Sequence, residues 1–372
     1  MTRSQTINLV VIVWLIMVMS KLMNETGHMD RLVGSFVPLS KDPRTAGSFM
    51  AALIGLLPMP GGALFSAPMV ETTLATQSVT SEQKTLLNYW FRHIWEYWWP
   101  LYPGVVLAIA LLKGESWIYM AIMAPMTLIS IVVGVFFILR PMKRIENRKA
   151  GGLSWAGIRA FLWESMPILI VVFLIIALAG LLRSLALFGY HAKVSGALSI
   201  MPGLLASLVW VCRVNRIPFR QFKSALMDKG ILPMLYLLLA IMVFQGVLTG
   251  SQAAVQIRDE LMAYRVPLLL IVLIIPFLSG LITGIAIGFV GTSFPLVVPM
   301  FPAGSTFEYM SYAALAFTFG YMGMMLSPVH LCFLVTKDYY KASLLKSYRH
   351  LLLPSLTVMA VVLALFFITR AF

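Results

Sequence analysis

Long apolar runs separated by short polar stretches dominate the chain, at residues 7–23, 47–75, 84–112, 116–140, 162–183, 193–212, 230–249, 266–301, 307–336 and 349–370. None alternates residue by residue as an outer-membrane barrel strand does, and most hold the ~20 helical residues that cross a bilayer. The pattern predicts an all-α polytopic membrane protein. Composition agrees: of 372 residues, 60% are hydrophobic and 11% charged, whereas a soluble domain carries roughly 25% Asp, Glu, Lys and Arg. The soluble classes are therefore excluded. The first run leads into Lys21 without a small-residue cleavage pattern, so it is expected to stay as an anchor. Two cysteines, Cys212 and Cys332, are too few for a disulfide framework and read as packing.

Four runs depart from a simple span. The run 47–75 contains PMPGG at residues 58–62, which cannot continue a helix. Its first arm, 47–57, reaches only ~16 Å at about 1.5 Å per residue, half the bilayer. A re-entrant hairpin with its tip at mid-depth is expected. The run 266–301 has a similar weak point at GFVGTSFP, residues 288–295, as either a second hairpin or two full crossings. The runs 84–112 and 307–336 are spans broken near their middles, at Pro100 to Pro103 and at Leu326-Ser327-Pro328.

These irregularities repeat. Small residues at Gly47, Ala51 and Gly55 match Gly280, Gly284 and Gly288, a spacing that lets helix backbones approach closely. Each tip carries Gly-x-x-Phe, and the interval from tip Phe to the proline of the following break is 38 residues in one half and 34 in the other. Five crossings separate the first span from its counterpart at 230–249, so the repeat is inverted, the plan of many secondary transporters. Residues 1–140 form the first repeat, 141–161 a basic linker and 162–372 the second. The spans at 162–183 and 193–212 have no counterpart before Ile7, so the N-terminus is abbreviated or a segment precedes it.

The net charge of +14 suggests an acidic partner until the charges are placed. With both hairpins re-entrant, 20 of the 28 Lys and Arg fall on one side and 7 on the other, with Arg92 left inside a span. The excess therefore records topology, with the basic side cytoplasmic and both termini outside. No nucleic-acid partner is implied.

Two tips and two breaks at mid-depth leave backbone groups that need a partner, a cavity or a ligand. Helix N-termini there suit an anion, and carbonyls suit Na⁺. The tip residues Pro60, Gly61, Gly62 and Ser66, the second-tip residues Gly291, Thr292 and Ser293, and Ser327 at the second break are candidates, although hydroxyls commonly bond their own helix. Arg92, His93 and Glu96 stand out further. A capping box of Thr80 and Gln83 would start their helix, putting Arg92 about 18 Å along it and Glu96 one turn deeper, on the same face. Buried ionisable groups suggest an anion anchor in Arg92 and proton or cation handling in Glu96 or His93. A structural ion pair beside an aromatic belt of Trp95, Tyr97, Trp98 and Trp99 is the alternative. His330 at the second break, Glu71 and Tyr102 are further candidates. The 24 Met residues read as packing. No motif for hydrolysis, nucleotide binding or a metal site beyond Na⁺ is present, so neither an enzyme nor a cofactor is expected.

The strings LIGLLPMPGGALFSAPMVE (53–71), NYWFRHIWEYWWPLYPG (88–104) and GFVGTSFPLVVPMF (288–301) resemble the prokaryotic integral-membrane family known as domain of unknown function four hundred and one. That family is similar to the ion-transporter superfamily of divalent-anion/sodium symporters, gluconate permeases and sodium/proton antiporters. The resemblance implies inverted repeats with re-entrant hairpins and broken helices, a homodimer in the inner membrane, and often an elevator motion. The Ser-Asn-Thr tip motif of the dicarboxylate carriers is absent, so their ligands do not carry over. The sequence thus points to a secondary transporter of a small organic anion, a carboxylate by preference, coupled to Na⁺ or H⁺. A cation/proton antiporter of the same fold is the alternative, and an intramembrane enzyme or scaffold the third.

Overall fold

The computed structural model describes residues 3–36, 42–56, 58, 62–75, 77–143, 155–188 and 197–371. Among these the chain is helical throughout: α1 (Arg3–Glu25), α2 (His28–Phe36), α3 (Pro43–Ile54), α4 (Ala63–Leu74), α5 (Ser81–Arg92), α6 (Pro103–Leu112), α7 (Ser116–Gly134), α8 (Trp155–Glu164), α9 (Met166–Leu187), α10 (Met201–Val214), α11 (Phe219–Leu226), α12 (Leu232–Gly250), α13 (Ala253–Ala263), α14 (Leu268–Thr283), α15 (Ala286–Val297), α16 (Thr306–Met325), α17 (Leu331–Tyr340) and α18 (Leu344–Ala371). Six stretches are long and apolar enough to cross a membrane: Thr6–Glu25, Ser116–Leu139, Met166–Leu187, Ala197–Val214, Phe219–Leu248 and Leu344–Arg370. They coincide with the six unbroken spans expected from sequence. The protein is a multi-pass membrane protein.

The long and short helices have different surroundings. Helices α9 and α12 expose Phe173, Ile176, Leu181, Val243 and Val247, apolar side chains that suit hydrocarbon. The short helices are enclosed: residues 85–94 are buried without exception, as are nearly all side chains of α6, α15 and the inner turns of α16. A helix hydrophobic all round belongs in the interior. Thus α5, α6, α15 and the inner part of α16 form the centre together with much of α1, while α9 and α12 are among the most exposed spans.

Local chemistry sets where the central helices start and stop. Asp42 caps α3 by accepting from the Arg44 amide, and Pro43 occupies the first turn, where its missing N–H costs nothing. The Arg44 side chain then donates to the carbonyls of Leu139 and Met142, in the segment that follows α7. Thr80 and Gln83 form the expected capping box of α5, at 3.2 and 3.1 Å. Thr80→Ala is expected to cost about 1 kcal/mol, seen as a small fall in the melting temperature of the purified protein.

Two breaks fall elsewhere than the sequence suggests. Helix α5 ends at Arg92, and residues 93–102 are irregular, so the first break opens at His93 and not at Pro100. Hydroxyl groups claim the carbonyls that a continuing helix would use: Tyr321 donates to His93 at 2.5 Å, Thr127 to Ile94 at 2.6 Å and Tyr119 to Tyr97 at 3.0 Å. Glu96 therefore does not follow Arg92 one helical turn along the same face. In the second half the chain turns at Gly284, whose φ of 65° is left-handed and whose N–H closes the end of α14 on the Gly280 carbonyl at 2.9 Å. The predicted tip at 288–295 is instead inside α15.

Glycines bring the central backbones together. A Cβ at Gly280 would overlap the Gly320 carbonyl, one at Gly323 the Phe277 carbonyl, and one at Gly55 the Arg92 carbonyl. Of the two small-residue stripes read in sequence, Gly55 and Gly280 make such approaches, while Gly47 is in ordinary contact with Leu74 and Leu87. Of the basic stretch 141–161, residues 144–154 lie outside the described residues and α8 takes up the rest from Trp155.

Candidate functional site

Three helix interruptions meet at one cavity of about 210 Å³. Its walls include the starts of α6 (Tyr102, Pro103, Gly104), α15 (Ile285, Ala286) and α17 (His330, Leu331, Cys332), together with the ends of α5, α14 and α16 at Arg92, Gly284 and Met324. Gly104 lets the starts of α6 and α15 touch, since a Cβ there would overlap Ala286. Ser327 ties the other two breaks. Its hydroxyl donates to the Leu281 carbonyl in the last turn of α14 at 2.7 Å and accepts from the Val329 amide at 3.3 Å. Three helix N-termini thus border one space, and helix N-termini carry partial positive charge.

The side chains in this space are polar and deeply buried: Arg92, His93, Glu96 and His330 are each at most 7% exposed. Arg92 Nη1 donates to Cys332 Sγ at 3.3 Å. His93 Nε2 lies 3.8 Å from Glu96 Oε1. The His93 and His330 rings meet edge to face at 5.0 Å, and Tyr89 packs on both at 4.8 and 5.2 Å. Each imidazole also engages a carbonyl through Nδ1, His93 with Tyr89 O at 2.6 Å and His330 with Met324 O at 3.3 Å. A carbonyl only accepts, so Nδ1 carries the proton in both rings and Nε2 is left as the lone-pair nitrogen. Residues 240 apart in sequence, Arg92 and Cys332, become neighbours through the two breaks.

The irregular segment 93–102 is braced by aromatic side chains. Trp95 Nε1 donates to Ala52 O and Trp99 Nε1 to Leu56 O, each at 2.9 Å, and the Tyr102 hydroxyl donates to Gly55 O. These take carbonyls at the end of α3 that have no partner within the helix. Trp98 donates to Thr127 and the Tyr97 hydroxyl accepts from Ser130, both at 2.9 Å. The four aromatics expected to form an interfacial belt are therefore internal struts, Tyr97 and Trp99 being buried. An aromatic belt and an aromatic brace have the same composition, and only the partners distinguish them.

The structure gathers some sequence-predicted residues and disperses others. Arg92, His93, Glu96, Tyr102 and His330 line the cavity, with Ser327 just behind it. Gly291, Thr292 and Ser293 do not. Gly291 packs against Ile241, and the Thr292 and Ser293 hydroxyls donate to Gly288 O at 2.8 Å and Phe289 O at 2.6 Å within α15. Ser66 likewise donates to Ala63 O in its own helix at 3.4 Å. Gly62 caps the start of α4, and Pro60 and Gly61 lie outside the described residues. Glu71 is half exposed and paired with Lys84 at 2.8 Å, away from the cavity. Cys332, read as packing, is a cavity residue. Its sequence signal was its place two residues after His330, at the opening of a helix that follows a Ser-Pro break.

No curated protein matches the chain. A family model matches residues 1–368, nearly the full length, and the chain belongs to that family, described as protein of unknown function DUF401.

Proposed function

We propose that this protein is a secondary active transporter that carries a small organic anion, a carboxylate by preference, across the membrane with Na⁺ or H⁺ as the coupling ion. The observation that carries this reading is the convergence of Arg92 and three helix N-termini on one buried cavity. Fixed positive charge aimed into a low-dielectric space favours an anion, and a guanidinium matches a carboxylate in two hydrogen bonds. The volume is below the roughly 300–1,000 Å³ of drug-sized pockets, which suits a molecule of a few carbons. Paired helices α3/α4 and α14/α15, with broken pairs α5/α6 and α16/α17, support an inverted-repeat reading in which the paired helices are re-entrant and one repeat-derived unit moves against the other. On this reading the protein is a homodimer of the inner membrane with the basic side cytoplasmic, and transport, not catalysis, is its role.

A cation/proton antiporter on the same scaffold is the second reading, favoured by the closeness of Glu96 to His93 beside His330. Proteoliposomes separate the two. Uptake of short labelled carboxylates that requires a Na⁺ or pH gradient is the expected result. Collapse of a pH gradient on adding Na⁺ alone, with no carboxylate uptake, would select the antiporter, and no movement of either solute would sink both.

A further inference from the structure

We propose that His93, His330 and Cys332 form a binding site for a single borderline-soft divalent metal ion of the zinc type. One ligand atom from each residue lies within 4.8 Å of the others. A tetrahedral ion bound by two imidazoles and a thiolate holds such atoms about 3.3–3.6 Å apart, from bond lengths of about 2.0 and 2.3 Å. A bound ion would therefore draw the three atoms together by at most about 1.5 Å. The donor set selects the metal class: two nitrogens and a sulfur suit zinc and its neighbours, whereas Na⁺, Mg²⁺ and Ca²⁺ need oxygen.

Three features of the surroundings match a metal site better than a packed polar core. His93 is 2% exposed, and its Nε2 makes no hydrogen bond of full geometry, its neighbours being Cys332 and, at 3.8 Å, Glu96 Oε1. Both imidazoles donate Nδ1–H to backbone carbonyls, the outer contact that fixes the ring and leaves Nε2 as the ligating nitrogen. Arg92 Nη1 donates to Cys332 Sγ, a contact that holds the sulfur on the cavity wall. With three protein ligands, the fourth position opens on the cavity, within reach of Glu96 or of an anion held by Arg92.

This site does not rest on the transport reading, and its test uses no transport. The full-length protein, purified in detergent and stripped by a chelator, is titrated with Zn²⁺ and with Co²⁺. The expected results are close to one ion per chain and, for Co²⁺, a thiolate-to-metal charge-transfer band. Cys332→Ser should abolish the band and Cys212→Ser should keep it, because Cys212 lies outside the cluster. His93→Ala and His330→Ala should each weaken Zn²⁺ retention by about 100-fold or more, the upper end of what losing an outer-shell partner costs. In unaltered protein, Zn²⁺ should slow alkylation of Cys332 and leave Cys212 unaffected, a readout independent of whether the variants fold. Absence of stoichiometric Zn²⁺, or a Co²⁺ band that survives Cys332→Ser, would overturn the proposal.

Discussion

Arg92→Ala is expected to abolish carboxylate binding and uptake while leaving a folded, monodisperse protein. Removing one partner of a buried, hydrogen-bonded charge pair costs about 2–5 kcal/mol, so affinity should fall by about 30-fold or more at 1.4 kcal/mol per tenfold. Arg92 is 3% exposed at the end of α5, and its own backbone carbonyl abuts Gly55. Its position is thus set by helix packing, and truncating the side chain should not displace the helix. Arg92→Lys keeps the charge but loses the planar fork, and should recover part of the binding. Fluorescence or calorimetric titration with short carboxylates measures both variants, and size-exclusion chromatography reports the fold. Undiminished binding by Arg92→Ala would remove the anion anchor and favour the antiporter reading, in which the guanidinium only balances Glu96.

Gly280→Val should be the most destructive single change to the fold. At Gly280 and Gly323 the α14 and α16 backbones approach so closely that any Cβ would overlap a carbonyl of the facing helix. Backbone cannot step aside as a side-chain tip can, so the helices must separate and lose their packing along the seam. Overpacking typically costs 1–3 kcal/mol, and here about 3 kcal/mol or more is expected. The loss should appear as poor recovery from the membrane and a large fall in melting temperature. Gly180→Val and Gly246→Val are the matched controls, since nothing lies within 4 Å of a Cβ at either position. Equal stability for all three variants would show that the α14–α16 approach carries no weight.

Helical spacing pairs Arg92 with Glu96 on one face, yet the helix stops at Arg92 and both residues meet the cavity across an irregular turn. Gly280 belonged to a stripe read as one arm of a hairpin. Its facing partners, Gly320 and Met324, lie in α16 and carry no signal of their own in the sequence. The second turn went to Gly284 and not to the Pro-containing string at 288–295, because a left-handed glycine ends a helix more cleanly than a proline near its last turn.

By itself the sequence determined the membrane class, the six unbroken spans, the start of α5, and the presence of interrupted helices with ionisable residues beside them. Those features follow from hydropathy, helix-capping chemistry and the scarcity of charge, which act over a few neighbouring residues. Tertiary structure decided where the interruptions lie and what they face. The carbonyls of His93, Ile94 and Tyr97 are claimed by Tyr321, Thr127 and Tyr119, partners 22 or more residues away that no local pattern encodes. It also decided that Cys332 stands beside Arg92 and the two histidines, that the Ser293 hydroxyl stays within its own helix, and that the Thr292 hydroxyl also meets Ser279 of α14. Buried backbone and buried charge must find partners wherever the packed helices supply them, and that supply is a property of the assembled bundle.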